Sequence, residues 1–249
     1  MMIMQHTMVD ENVKATAGGA VGKGFIAKYI RYIGKEAHAG GAPHLGINAL
    51  NAAQIGLMAV NANRETFQDK DTIRVHPIIT KGGDLVNNVP DDVRIETYVR
   101  AKTMDAIDRT NAKVDAALRA GGAAIGAKVN IDTLPGQLPL ICNQEMNELF
   151  VHNAQEAFPA VKITNAGHFS ASTDMGDVSH LMPAIHPFIG GGDGMLHGPD
   201  FKVVDFKAAA LLPGKAFAGM VIDLLSDDAK EAKKILADFK PARTKEQYI

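Results

Sequence analysis

Gly24-Phe25-Ile26-Ala27-Lys28-Tyr29-Ile30-Arg31-Tyr32-Ile33-Gly34-Lys35 is dense in aromatic and β-branched residues, and Glu36-Ala37-His38-Ala39-Gly40-Gly41-Ala42-Pro43-His44 follows it. The first stretch reads as a strand and the second as a glycine-flanked loop. From Gly46 to about Phe67 the period turns helical, with Leu50, Ala53, Leu57 and Val60 on one face. Thr72 to Ile79 alternates, and Val93 to Arg100 alternates again, with Val93, Ile95 and Val99 inward and Arg94, Glu96 and Arg100 outward. Between them lies the turn cluster Gly82-Gly83-Asp84 and Asn87-Asn88-Val89-Pro90-Asp91. Met104, Ile107, Val114 and Leu118 carry a second helix whose apolar stripe only Asn111 breaks. Gly121-Gly122 reads as an interruption or end of that helix, and Ala127 to Asp132 as a last strand. The order from 24 to 132 is β-α-β-β-α-β, the ferredoxin-like split βαβ arrangement. Two helices on one face of such a sheet leave the other face or an edge strand open, and a free edge could serve dimerisation.

The flanks differ. Met1 to Met4 read as an apolar strand that runs at once into His6, so the reading expects sequence ahead of this point. Beyond Pro135 strands become scarce. Asn143 to Phe158 is a helix, 167–179 a polar glycine-containing stretch, and Ala184 to Ile189 a short strand before Gly190-Gly191-Gly192. Phe206 to Leu225 is a long apolar helix and Asp227 to Phe239 a charged amphipathic one. The domain reading is 1–22 as a strand and loop of one domain, 23–135 as an α+β insert, and 136–249 as the remainder of an α/β layer.

Bulk properties remove several function classes. With 46% hydrophobic and 22% charged residues the chain reads as an ordinary globular protein, and a net charge of -2 with no basic run gives no pull toward nucleic acid or an acidic membrane surface. No apolar run is read as approaching the ~20 residues of a membrane helix. Cys142 is the only cysteine, so thiolate zinc clusters and intrachain disulfides are excluded and a reducing, cytoplasmic setting is expected.

Nucleophilic catalysis has no Gly-x-Ser-x-Gly elbow to rest on, and Cys142 reads as a small apolar residue. Gly190-Gly191-Gly192-Asp193-Gly194 lacks the lysine and spacing of a phosphate loop. Asp174 and Asp177 suit helix or turn caps. Of nine histidines, context lifts three: His6, placed at the end of an apolar strand; His38, in the strand-to-helix loop; and His197, after the glycine-rich segment. Imidazole is the commonest metal ligand and a good donor to an oxyanion.

These segments resemble a known family. Gly34 through Leu50 is similar to the lid signature of the M20 metallopeptidase/amidohydrolase family, in the branch of aminobenzoyl-glutamate hydrolase subunits and N-acyl amino acid amidohydrolases. Gly83 through Asp91 with the strand to Arg100 resembles its second lid motif. Ser172 to Ser179 with Pro183 and His186-Pro187, and Leu196-His197-Gly198-Pro199, resemble its C-terminal catalytic segment. The resemblance implies a ferredoxin-like lid plus the C-terminal part of an M20-type α/β catalytic domain. It implies hydrolysis of an amide in a small N-acyl amino acid or peptide-like substrate, and a homodimer through the lid. Of the family's two zinc ions it implies His6 and His197 as ligands, with manganese or cobalt suiting the same donors. It also implies His38 as stabiliser of the tetrahedral intermediate, Asn88 as a substrate contact and Arg100 as a carboxylate contact. Two imidazoles on one cleft under a mobile lid are therefore expected.

The family's His-x-Asp-type motif and its Glu-Glu pair have no counterpart in this sequence. Two histidines alone hold zinc weakly, so the chain by itself is expected to turn over little or no substrate. The competing readings are a non-catalytic dimerisation or binding module derived from such a hydrolase, and an ordinary ferredoxin-like binding protein.

Overall fold

The computed structural model describes every residue except 10–13, 17–20, 165–166 and 249. It divides into two compact units, Met1–Gly22 with Leu138–Ile249, and Lys23–Gln137.

Short strands β1 (Met2–Ile3), β2 (His6–Val9), β3 (Lys14–Thr16) and β4 (Val21–Gly22) precede the second unit. That unit consists of β5 (Gly24–Ile33), α1 (Ala49–Ala62), β6 (Arg74–Val75), β7 (Ile78–Lys81), β8 (Asp92–Ala101), α2 (Met104–Ile125) and β9 (Lys128–Gln137). Its antiparallel sheet runs β6-β8-β5-β9, with β7 also on β8. The ferredoxin-like order therefore holds, and three boundaries are corrected. The strand expected over Thr72–Ile79 is two pieces, β6 and β7, separated by His76-Pro77, where proline cannot donate to a ladder. The last strand does not stop at Asp132. It continues through Pro135, which an edge strand tolerates, beside a register shift between Phe25 and Ile26. Gly121 and Gly122 lie inside α2, whose end comes at Gly126 with φ 85°. A Cβ on Gly121 would sit 2.3 Å from the Ala52 carbonyl oxygen and 2.4 Å from the Gly56 nitrogen, so the glycine lets α2 press backbone to backbone on α1.

The core of this unit packs Ile30, Tyr32, Val93, Ile95 and Val99 of the sheet against Ala52, Ala53, Val60, Val114 and Leu118 of the helices. Asn111, the polar break in the α2 stripe, faces a buried cation. Lys28 Nζ donates to Asn111 Oδ1 and Thr133 Oγ1, each at 2.6 Å, and pairs with Asp115 at 2.6 Å. A charge taken from water is tolerated only when its partners are in place. Asp115→Ala is expected to cost about 2 kcal/mol in urea unfolding, since Asp115 is partly exposed, and Lys28→Met less, because it removes the charge together with its need.

The first unit continues with α3 (Gln144–Ala157), β10 (Lys162–Thr164), β11 (His168–Phe169), α4 (Met175–Ser179), β12 (Ala184–Ile185), β13 (Phe188–Asp193), β14 (Lys202–Val203), α5 (Leu212–Asp238) and α6 (Lys245–Tyr248). The sheet runs β10-β3-β13-β14, and β2 lies parallel to β13. The strand expected over Ala184–Ile189 is divided at His186-Pro187, and the three glycines sit within β13 rather than after it. Gly191 has φ 112°, and a Cβ there would lie 2.7 Å from the Asp205 carbonyl oxygen, so only glycine admits the chain that returns past it. Met146, Phe150, Ile189, Leu212, Ala216 and Met220 form the buried core against which α3 and α5 pack. The stretch Lys207–Asp238 is long and apolar enough by length and composition to cross a membrane, which corrects the sequence reading. Leu212, Ala216 and Met220 on this stretch are fully buried in the protein core, and its helical geometry breaks at Ser226 to Ala229.

Candidate functional site

The loop after β5 is fixed by its own backbone. Gly34 N donates to Asp91 O and Val89 N to Ala37 O, which draws Glu36 to Ala39 alongside Asn87 and Asn88. His38 and Asn88, fifty positions apart in sequence, thereby form an isolated antiparallel bridge. The ring orientation of His38 is set by the two glycines that follow: the amides of Gly40 and Gly41 donate to Nδ1 at 3.2 and 2.9 Å. An Nδ1 that accepts leaves the proton on Nε2, so the exposed imidazole presents an N–H outward. Asn88 is held by Glu36, whose Oε1 accepts from Nδ2 at 2.9 Å. Glu36 was not singled out in the sequence, although it stands two residues before His38 in the same loop.

Arg100 stands elsewhere. It lies near the far end of β8 from Asp92, eight residues or about 26 Å of strand away. There its guanidinium stacks 4.8 Å from the Phe25 ring centroid and 5.1 Å from that of Tyr98. One copy of this sheet thus carries His38 and Asn88 at one end and Arg100 at the other.

In the first unit, His6 opens β2 rather than ending a strand, and its register partner is Phe188. His6 Nδ1 lies 2.6 Å from Nε2 of His186, one nitrogen donating and the other accepting. His186 is 1% exposed, and its Nδ1 makes no hydrogen bond. Burial holds the His186 pKa down to about 4, the charge of His6 adds to this, and Asp174 opposes it. His186 appeared in the sequence only as part of a His-Pro pair. Its partnership with His6 spans 180 positions and carries no local signature.

His197 is exposed on the loop joining β13 to β14 and adopts φ 64°. Since His6 faces Phe188 and His197 follows Asp193, the register sets the two toward opposite ends of β13, about 16 Å of strand. Asp174 caps α4 by accepting from Met175 N at 3.0 Å. Asp177 Oδ1 accepts from Leu138 N at 3.1 Å, and burial pushes its carboxyl upward. Cys142 is half-buried and burial pushes its thiol up, which agrees with an inert side chain. Among the described residues no three His, Cys, Asp or Glu side chains gather to hold a metal ion. The donors among the described residues therefore do not by themselves fit a zinc centre, which takes at least three protein ligands.

Residues 22–125 match the family model described as the peptidase dimerisation domain of M20 enzymes. The chain is 30% identical over 230 residues to a Xaa-Arg dipeptidase of Mus musculus and 28% identical to that of Homo sapiens, in each case over 88% of this chain and 52% of the relative. It thus spans about half the length of the curated relatives it matches. Two solved structures share the fold. A dinuclear metal-binding peptidase of the M20 family from Bacillus subtilis superposes with a TM-score of 0.67 at 18% identity, over 90% of this chain and 56% of its own. An aminobenzoyl-glutamate utilization protein from Klebsiella pneumoniae superposes with a TM-score of 0.66 at 16% identity, over 89% and 53%.

Proposed function

We infer, from a chain whose residues 22–125 match the M20 peptidase dimerisation-domain model and which is similar to Xaa-Arg dipeptidases, that it serves the hydrolysis of an amide bond in a small dipeptide or N-acyl amino acid. The observation that carries this reading is the His38–Asn88 bridge, with the imidazole proton fixed on Nε2 by two glycine amides. An N–H donor oriented before substrate arrives stabilises charge that develops on a carbonyl oxygen, at no cost of reorganisation during the reaction. Asn88, clamped by Glu36, offers its remaining amide valences to the substrate backbone. Arg100, whose guanidinium lies over two rings, is the contact this reading assigns to a substrate carboxylate. We derive no step through a metal, because the donors described here do not complete a centre.

The distance between the two ends of β8 supports a homodimer as the working form, with His38 and Asn88 of one copy serving a substrate held by the other. The edge strand β7, whose Ile78 and Ile79 are exposed, offers a ladder for self-association.

The test is hydrolysis of dipeptides and N-acyl amino acids by the protein purified from its native host, with and without His38→Ala. Loss of an oxyanion donor lowers kcat by about 10²–10³ with little change in KM. Unchanged kcat in His38→Ala overturns the role of His38. A dimer that hydrolyses no substrate with zinc, manganese or cobalt leaves a dimerisation module instead. The 249-residue chain by itself is expected to turn over little or nothing, and robust metal-dependent turnover by it would contradict the reading of its donor set.

A further inference from the structure

Three segments of the lid border a cavity of about 550 Å³ beside Asn88. The loop after β5 contributes Pro43, the first turn of α1 contributes Leu50, and the turn between β7 and β8 contributes Asp84, Leu85, Val86 and Asn88. Their backbones are tied to one another. Ala39 N donates to Asn87 O at 2.8 Å, Ala49 N to Pro90 O at 2.8 Å, and Asn88 N to Leu85 O at 3.2 Å. The cavity is therefore formed before a ligand arrives.

Its walls are largely apolar, and their exposure needs a reason. Turns favour glycine, proline and short polar residues, yet this one presents Leu85 and Val86 to water, and Val86 is fully exposed. Two adjacent apolar side chains left in solvent contribute no burial to the fold. Asn88 supplies a polar handle beside them. Its Nδ2 donates to Glu36 Oε1 at 2.9 Å, which fixes the orientation of the amide and leaves Oδ1 and the second N–H for a ligand. An apolar cavity with a few oriented polar groups is the usual form of a small-molecule site.

Charge decides which part of an amide substrate can enter. Among the described residues no lysine, arginine or histidine lines the cavity, and its one charged residue is Asp84, which pairs with Lys81 at 3.1 Å. A carboxylate placed here would lose water and gain no counter-charge. In an N-acyl amino acid or a dipeptide that carboxylate belongs to the leaving amino acid, whereas the acyl group on the other side of the scissile bond can be uncharged. His38 and Asn88 are bridge partners, whose Cα atoms lie about 5 Å apart. A carbonyl at the His38 imidazole thus has its acyl chain within reach of the cavity that Asn88 borders.

We propose that this cavity is the acyl pocket of the substrate site, with Leu85 and Val86 selecting an uncharged aliphatic acyl group and Asn88 holding the amide beside it. The proposal rests on the amide-hydrolase reading only in taking the bound ligand to be a substrate.

The experiment is a nuclear magnetic resonance titration of the intact isotope-labelled chain, without metal, with acetyl-glycine, hexanoyl-glycine and acetyl-leucine. The last two are isomers that carry their extra carbons on opposite sides of the amide. Hexanoyl-glycine is expected to bind about tenfold more tightly than either of the others, since burial of two methylene groups alone is worth about that much. The amide signals it moves are expected to fall within 39–50 and 82–90. Leu85→Ser combined with Val86→Ser, at two exposed positions, is expected to bring hexanoyl-glycine down to the level of acetyl-glycine. Equal binding of hexanoyl-glycine and acetyl-leucine overturns the proposal. So does an advantage that survives the double substitution, a set of moved signals elsewhere in the chain, or no binding of hexanoyl-glycine at millimolar concentration. The two readings fail separately. Ranked binding without hydrolysis by the native protein removes the enzyme and keeps the pocket, and His38-dependent hydrolysis indifferent to acyl length removes the pocket alone.

Discussion

Gly121→Val is expected to unfold the lid unit. The first added carbon already falls 2.3 Å from the Ala52 carbonyl oxygen and 2.4 Å from the Gly56 nitrogen, and both are backbone atoms that no rotamer change can move aside. The valine can be housed only by separating α1 from α2, which breaks the packing of Ala52, Ala53 and Val114 and of Leu118 beneath them. Overpacking of a well-filled core costs about 1–3 kcal/mol, and loss of the helix interface adds a similar amount, so a total of about 4 kcal/mol or more is expected. Urea denaturation followed by circular dichroism measures it. Gly126→Ala provides the contrast: nothing lies within 4 Å of its Cβ, and only the positive φ of 85° is strained, for about 1 kcal/mol. Equal costs for the two variants would mean that the helices are not in backbone contact.

The second large effect concerns pH. His186 has its pKa lowered to about 4, first by burial and then by the positive charge of His6, whereas an unfolded histidine titrates near 6.5. The folded pKa lies below the unfolded one, so between these values the unfolded chain binds more protons and stability rises with pH. The contribution is complete above about pH 6.5 and is lost as pH falls toward 4. A gap of about 2.5 units corresponds to about 3 kcal/mol. Carboxylates titrate near the lower end of this window, so the diagnostic quantity is the difference between wild type and His186→Gln. Chemical denaturation at pH 7 and pH 4.5 is expected to show the variant losing about 2 kcal/mol less across that interval. Parallel losses would mean that His186 is not held neutral by its surroundings.

The lid was legible because its helices and strands carry their periods locally. Val93 to Arg100 alternates so regularly that its inward residues are named by the sequence alone. Asn111 was legible as an anomaly, a polar residue on an apolar stripe, and its reason emerged only with Lys28, eighty-three positions away. Gly121-Gly122 misled because glycine signals both a helix end and a close helix contact, and the partner helix decides between them. Pro135 misled for the corresponding reason: whether a proline ends a strand depends on whether that strand lies at an edge. At the candidate site the sequence marked His38 and Asn88 but could not show that they touch. The His6–His186 contact is a product of register between distant strands, and nothing near either residue encodes it.

The chain enters and leaves the lid through neighbouring points. Phe25 pairs with Gln137 at one side of the junction, and the amide of Leu140 donates to the carbonyl of Gly22 at the other. An insert whose two ends nearly meet makes little topological demand on its host. The ferredoxin-like segment can therefore be treated as a cassette: excised and expressed alone, bridged over by a short turn, or exchanged for the corresponding segment of a relative.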